Sequence, residues 1–416
     1  MPQELGESLQ GVVVCHAAVS AAMLANFGRA IARRLLAEGS VLHFFASQAR
    51  VFGAAPPIAD LEALGVRFHG LRLPRSIAPL RDLAAITSMA RAFRRVGAHV
   101  VHTRGSVMGC LGRVAARIAR VPVILHHQDD LYFREYRRGS IMRRMAATVE
   151  RGLFSLSQGS FFVSRAVLND ALSARFRPDR CFLVGHDLGE AFQLACSEPE
   201  ARRIRGLERL HAIGVPRHAK VAGCVARLAP LKGVDFLIDV AASIAKDAPG
   251  WSFVLKGDGP LRDACLRNVL RLGLRGVFFL VTEDLPGDAV PDVFAAFDLF
   301  VLPTRREGFG MVFAEAMAMG VPVVGPRMEP VTEVVPDGCG LLLPPDDHEA
   351  WARGLLGIMR DPETRTRLAA AGRAHALREW CGYRAAERVI GVYRRFLEEK
   401  SLLRHRQRSH APPRDV

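Results

Sequence analysis

Short apolar runs alternate with longer amphipathic stretches along the first part of the chain. Residues 11–15, 40–46, 66–69, 100–103 and 122–126 read as strands. Between them, residues 26–37, 59–64, 83–95 and 108–118 place apolar side chains at helical spacing. Strands interleaved with helices predict a parallel, doubly wound sheet, because parallel neighbours need a crossover between them. The alternation lapses over residues 198–217, a charged stretch with Pro199 and Pro216 and no core pattern, where a domain boundary is expected. It then restarts, with strands at 221–226, 251–256 and 277–281 and helices at 234–245 and 261–270. Residues 379–399 form a last, arginine-rich helical pattern, and the basic tail from Ser401 reads as disordered.

At 416 residues the chain is long for one core, so two domains are the default. No apolar run approaches the ~18 residues of a membrane span, and the acidic start lacks the basic region of a signal peptide. Eight scattered cysteines without a Cys-x-x-Cys pair point to neither a disulfide framework nor a zinc site. A reducing cytoplasm fits. The net charge of +15 is uneven: between Arg72 and Arg151 sixteen arginines face five acids, a local +11. Such a patch suits an anionic lipid surface or a nucleic acid. Without a nucleic-acid motif and with few aromatics, lipid is favoured, and no nucleic-acid partner is expected.

The densest chemical signal lies at residues 298–325. An apolar run ends at Pro303 and a glycine-broken loop follows. A helical stretch at 311–319 is then stopped by Gly320 and Pro322. Glu307 lies in the loop and Glu315, eight residues on, lies about a turn inside the helix. Gly308 and Gly310 leave backbone N–H groups bare beside a helix N-terminus, a place that holds an anion or a sugar oxygen.

Glu307-x7-Glu315, with Gly-Phe-Gly between and Glu-Ala-Met-Ala-x-Gly-x-Pro-Val-Val after, resembles the signature of family 4 retaining glycosyltransferases (glycosyl transferases group 1). The resemblance implies an α/β fold of the GT-B type, two Rossmann-like doubly wound domains facing across a cleft. It also implies that Glu307 holds the donor sugar's hydroxyls and Glu315 the ribose. The backbone of Gly308, Phe309, Gly310, Met311 and Val312 would hold the sugar and diphosphate. Arg227-Leu-Ala-Pro-Leu-Lys232-Gly resembles the family element whose Arg and Lys grip the diphosphate, with Ala226 where the family has Gly. No Asp-x-Asp motif occurs, so neither a metal nor another cofactor is expected. Lys256-Gly-Asp-Gly-Pro260 resembles the family's turn at this place, and residues 282–285 would lie near the base.

In the first half, residues 100–103 and 122–127 resemble two family strand ends, the second placing a His near the acceptor. The spacing is one residue short, so His126, His127 or Gln128 each fit that place; His127 is taken as the candidate. The family's Gly-Gly-x-Glu loop is missing at 16–23, and its interdomain element is degenerate at 184–187.

The expected organisation is an acceptor domain at 1–200, a linker at 201–217 and a nucleotide-sugar domain at 218–378. A helix at 379–400 would cross back to the first domain, followed by the tail at 401–416. The expected function is retaining, metal-independent hexosyl transfer from a nucleotide sugar to a glycan or lipid-linked acceptor, in cell-envelope polysaccharide or lipopolysaccharide synthesis. The setting would be the cytoplasm or the inner face of its membrane. A GT-B epimerase or hydrolase and a non-catalytic nucleotide-sugar-binding scaffold are the alternatives. Free sugar or an epimerised nucleotide without acceptor would favour the former, and binding without turnover the latter.

Overall fold

The computed structural model describes residues 9–48, 58–71, 79–137, 139–283, 285 and 289–409. The acidic start, Arg72, Arg75 and Arg138 of the basic stretch, Asp284 beside the expected base site, and residues 410–416 lie outside them.

The chain forms two units. The first takes the described residues up to Asp187 and again from Tyr383; the second runs from Leu188 to Gly382. The first unit holds seven strands: β1 (Val13–Ser20), β2 (Val41–Ser47), β3 (Arg67–Leu71), β4 (Val100–Arg104), β5 (Val123–Gln128), β6 (Gly159–Phe162) and β7 (Cys181–Leu183). They pair in parallel in the order β3-β2-β1-β4-β5-β6-β7. Alternate residues serve opposite faces. Val14, Phe44 and Val100 pack on one face with Ala386, Val389, Ile390 and Tyr393 of the helix Arg384–Ser409. Cys15, Phe45 and Val101 pack on the other with Phe93 and Met108.

The second unit holds β8 (Lys220–Val225), β9 (Trp251–Lys256), β10 (Phe278–Val281), β11 (Leu299–Val301), β12 (Val323–Pro326) and β13 (Leu341–Leu343). Their order is β10-β9-β8-β11-β12-β13, again all parallel. Two parallel, doubly wound α/β units are therefore present.

Four expectations change. The boundary lies at Asp187, upstream of the charged 198–217 stretch, and much of that stretch is the helix Pro199–Ala212 inside the second unit. Its charges point inward as well as outward: Arg202, Arg205 and Arg209 lie 3.1, 3.4 and 3.9 Å from the buried carboxylate of Asp292. Gly206 completes the contact, since a Cβ there would stand 1.9 Å from the Asp292 carbonyl oxygen. Residues 16–20, expected as a loop, continue β1, and Ser20 caps the next helix by accepting from the Met23 amide at 3.3 Å. The 26–37 helix is two helices, Ala21–Phe27 and Arg29–Ala37, parted at Gly28. Finally, the last helix runs on to Ser409, through most of the expected tail.

Candidate active site

In the second unit the chain winds outward from β8 in one direction and from β11 in the other, so the sheet's switch point lies between them. Ligands of open α/β sheets sit at such a point, beyond the carboxyl ends of the strands. Arg227 and Lys232 follow β8, and the 303–310 loop follows β11, so both candidate loops leave the sheet there. They are in backbone contact. Gly233 has φ +64°, and a Cβ on it would stand 2.0 Å from the Pro303 carbonyl oxygen, which only glycine permits.

Polar side chains fasten the two loops. The buried Thr304 hydroxyl lies 3.1 Å from the Leu231 carbonyl oxygen, and the Arg305 amide donates to the same oxygen at 2.8 Å. The Arg305 guanidinium reaches Asp235 at 3.1 Å, Asp346 at 2.9 Å and the Pro230 carbonyl at 2.9 Å. Neither Thr304 nor Arg305 is singled out by the sequence; their signal is adjacency to Glu307 on a strand-end loop. The turn after β9 joins the same edge, its Asp258 carbonyl accepting from the Leu228 amide at 3.0 Å.

Lys232 Nζ donates to Glu307 Oε1 at 2.6 Å, and Glu307 is only 8 % exposed. A sugar hydroxyl arriving at Glu307 would thus meet a carboxylate already held on one side. Gly310 caps the helix Met311–Ala318, whose first turn turns its amides toward the 308–310 loop. Phe309 is buried with its ring 6.0 Å from Trp380. Glu315 is half-buried on that helix and its carboxylate makes no hydrogen bond to a described residue; burial pushes it up to about 7. Arg227 is exposed at the head of its loop.

In the first unit, alternation along β5 separates the three acceptor candidates. His127 faces the side covered by the Arg384–Ser409 helix, its ring 5.5 Å from His102 and 5.9 Å from His186. Neither of its ring nitrogens meets a partner among the described residues. On the same face, the Tyr393 hydroxyl bridges His16 Nε2 at 2.8 Å and His102 Nδ1 at 2.6 Å. Burial, then the charge of Arg104, hold His127 and His186 well below the usual histidine range. The imidazolium form of His127 is thus disfavoured, which argues against a general-acid role. Arg104 itself is clamped to Asp129, with Nε at 2.9 Å from Oδ2. His126 turns to the opposite face, where its Nδ1 lies 2.8 Å from the Thr103 hydroxyl, and with Gln128 it lines a cavity.

The local basic excess is partly spent inside the unit. Arg134 pairs with Asp130 at 2.6 Å and with Asp170 at 3.0 Å, and Arg143 lies 3.8 Å from Asp170. Arg144 and Arg151 remain exposed on the helix Ile141–Phe154.

Two linked parallel α/β units, with candidate ligand groups at the strand ends of the second, define the class, and the comparisons agree. Residues 210–375 match the family described as "Glycosyl transferases group 1", and residues 22–186 match "Glycosyl transferase 4-like domain". A GDP-mannose-dependent alpha-(1-6)-phosphatidylinositol monomannoside mannosyltransferase of Mycolicibacterium smegmatis is 32% identical over 322 residues, 73% of this chain and 80% of that one. A D-inositol 3-phosphate glycosyltransferase of Corynebacterium urealyticum is 33% identical over 192 residues, 44% of this chain; there the match spans about half the relative, 45% of its length. The structure of Anabaena HepE in complex with UDP and glucose superposes with a TM-score of 0.74 over 91% of this chain and 98% of that one, at 19% identity, a likeness of fold. The chain belongs to the glycosyl transferases group 1 family, with a GT-B fold.

Proposed function

We propose that the chain is a retaining glycosyltransferase that moves a hexosyl group from a nucleotide sugar to a glycan or lipid-linked acceptor of the cell envelope. The observation that carries this reading is the Lys232–Glu307 contact at the switch point of the second sheet, beside Arg227 and the N-terminus of the Met311–Ala318 helix. Cations and helix amides stabilise a departing diphosphate, and a carboxylate orders the hydroxyls of the sugar. The relative named for GDP-mannose and the HepE structure named for UDP and glucose support a nucleotide-sugar donor. The phosphatidylinositol monomannoside in the former name supports a lipid-linked acceptor.

In this reading Glu307 and the amides from Gly308 to Val312 hold the sugar. Arg227 and Lys232 hold the diphosphate, and Glu315 accepts from the ribose hydroxyls. The acceptor oxygen attacks C1 on the face the diphosphate leaves. The C1–O bond to phosphate breaks as the new one forms, and the acceptor proton passes to the departing phosphate oxygen. No protein nucleophile and no metal enter these steps. His127, neutral and buried, acts by positioning on the acceptor side.

A thermal-shift panel of nucleotide sugars tests the donor. The cognate one at a hundred times its dissociation constant adds about 2.7 kcal/mol of stability. Product anomeric configuration, read by NMR, tests retention. An inverted product would defeat retention alone, whereas release of free sugar with every lipid and glycan acceptor offered would defeat the transferase reading. No helix among the described residues is long and apolar enough to cross a membrane. Attachment to an anionic surface through Arg144 and Arg151 is the membrane contact this reading expects.

A further inference from the structure

The helix Ile141–Phe154 does not bury its apolar stripe in the core. Met142, Met145 and Val149 are 52 %, 58 % and 62 % exposed, yet all three, with Leu153, line a cavity of about 250 Å³ on the face of the sheet that carries His126. An apolar wall that is itself open to solvent leaves the cavity accessible along the helix. Beneath these residues the lining changes character: Arg113, Gln128 and His126 are 3 %, 4 % and 2 % exposed.

Two polar groups of the lining, His126 and Glu150, are already engaged. His126 Nδ1 is taken by Thr103 at 2.8 Å, and the Glu150 oxygens receive the Tyr132 and Phe133 amides at 2.9 and 3.5 Å. Arg113 is different. Its Nε donates to the Gly109 carbonyl, but its buried Nη1 meets no partner among the described residues. The Glu150 carboxylate in the same lining acts on its charge, yet a buried guanidinium N–H without a hydrogen-bond acceptor is a binding demand for an oxygen. Arg144 and Arg151 are exposed on the opposite, polar side of the same helix, outside the lining of the cavity.

We propose that this cavity receives an acidic lipid, with a phosphate oxygen on Arg113 and the first carbons of its chain against Met142, Met145 and Val149. The inference rests on the reading of a lipid-linked acceptor and assigns its anionic, chain-bearing end to a site. A free anion would leave the apolar wall uncovered, and a neutral chain would leave Arg113 unmet; an acidic lipid answers both.

Isothermal titration of the full chain with dihexanoyl phosphatidic acid below its micellar concentration tests this. One site per chain is expected, with phosphatidylcholine of the same chains at least tenfold weaker and inorganic phosphate not competing. Met145→Glu and Val149→Glu, both at exposed positions, should weaken the acidic lipid at least tenfold while the melting temperature stays within about two degrees of the parent. Equal binding of inorganic phosphate would overturn the proposal in favour of a simple anion site. Unchanged affinity in Met145→Glu, or anionic-vesicle flotation unaffected by it, would overturn it in favour of the arginine face alone. Nucleoside diphosphate titrated into the same proteins separates the two readings. Its retention without lipid binding removes this pocket alone, whereas its absence from the parent removes the donor site and leaves the pocket to be judged on its own result.

Discussion

Lys232 and Glu307, 75 residues apart in sequence, meet at 2.6 Å and close the ends of two neighbouring strand-end loops over the second sheet. The pair joins a group assigned to phosphate with a group assigned to sugar, so each substitution should separate binding from transfer.

Glu307→Gln should keep nucleoside diphosphate affinity near that of the parent and remove most transfer. A charged hydrogen bond to a sugar hydroxyl is worth about 1.5–3 kcal/mol, roughly a ten- to hundredfold fall in kcat/KM. Steady-state kinetics beside a nucleotide titration measures both, and full activity would remove Glu307 from the site.

Arg227→Ala and Lys232→Ala should weaken nucleoside diphosphate far more than the free nucleoside, because both would contact phosphate. Lys232→Ala should also lower stability by about 1–3 kcal/mol, since it removes a charged hydrogen bond from the buried Glu307 carboxylate. Turnover should persist with a chelator present. Equal weakening of nucleoside and diphosphate, or loss of turnover on chelation, contradicts a metal-free clamp.

Glu315 should give nucleotide binding a pH dependence. Burial raises it from 4.5 to about 7, so between these values the folded chain keeps a proton the unfolded chain has released. Its effect on stability is nil below 4.5 and grows unfavourable up to 7. Ribose hydroxyls donating to the carboxylate favour its ionised form. Binding should therefore strengthen from pH 6 to 8 and release a proton at pH 6, read as a buffer-dependent heat in titration calorimetry. Glu315→Gln should flatten both, and a parent that shows neither trend places the ribose elsewhere.

The buried histidines work in the opposite direction. His16 is lowered to about 3, and His102, His126, His127 and His186 well below the usual range, burial being the largest cause for each. The unfolded chain takes up these protons as pH falls through 6.5 and the folded chain does not, so stability is lost toward acid. Each contributes up to about 1.4 kcal/mol per pH unit below 6.5. Denaturant midpoints should fall steeply from pH 7 to 5.5, well beyond the single-proton gain from Glu315. A flat profile would mean that water or a titrating partner reaches these rings.

Local chemistry made the candidate loops of the second unit legible. The 303–318 segment carries its strand end, loop glycines and helix start within a few residues, so the groups that share a site also share a stretch of sequence. Distant packing hid the rest. The parity of β5 already separates His127 from His126 and Gln128, but which face belongs to which neighbour depends on a helix that returns from residue 384 onward. The Pro199–Ala212 helix read as a linker because its arginines resembled solvent charge. Their partner, Asp292, lies some ninety residues downstream and is invisible to any local pattern. Thr304 and Arg305 carry no local signal for the same reason, since the Leu231 carbonyl, Asp235 and Asp346 that they reach sit on other segments.

The return of the chain to its first unit also orders the birth of the protein on the ribosome. Asp187 receives the amides of Ala385 and Ala386 at 2.9 Å each, and Ile390 and Tyr393 then fill the first unit's core. Among the described residues the second unit is one stretch, Leu188 to Gly382, and can close as soon as it is made. The half that emerges first must wait, with a face of its sheet uncovered, until the segment beyond Tyr383 has been translated. A nascent chain halted before that point would expose the row from Val14 to Val100 to chaperones, while its second unit was already folded.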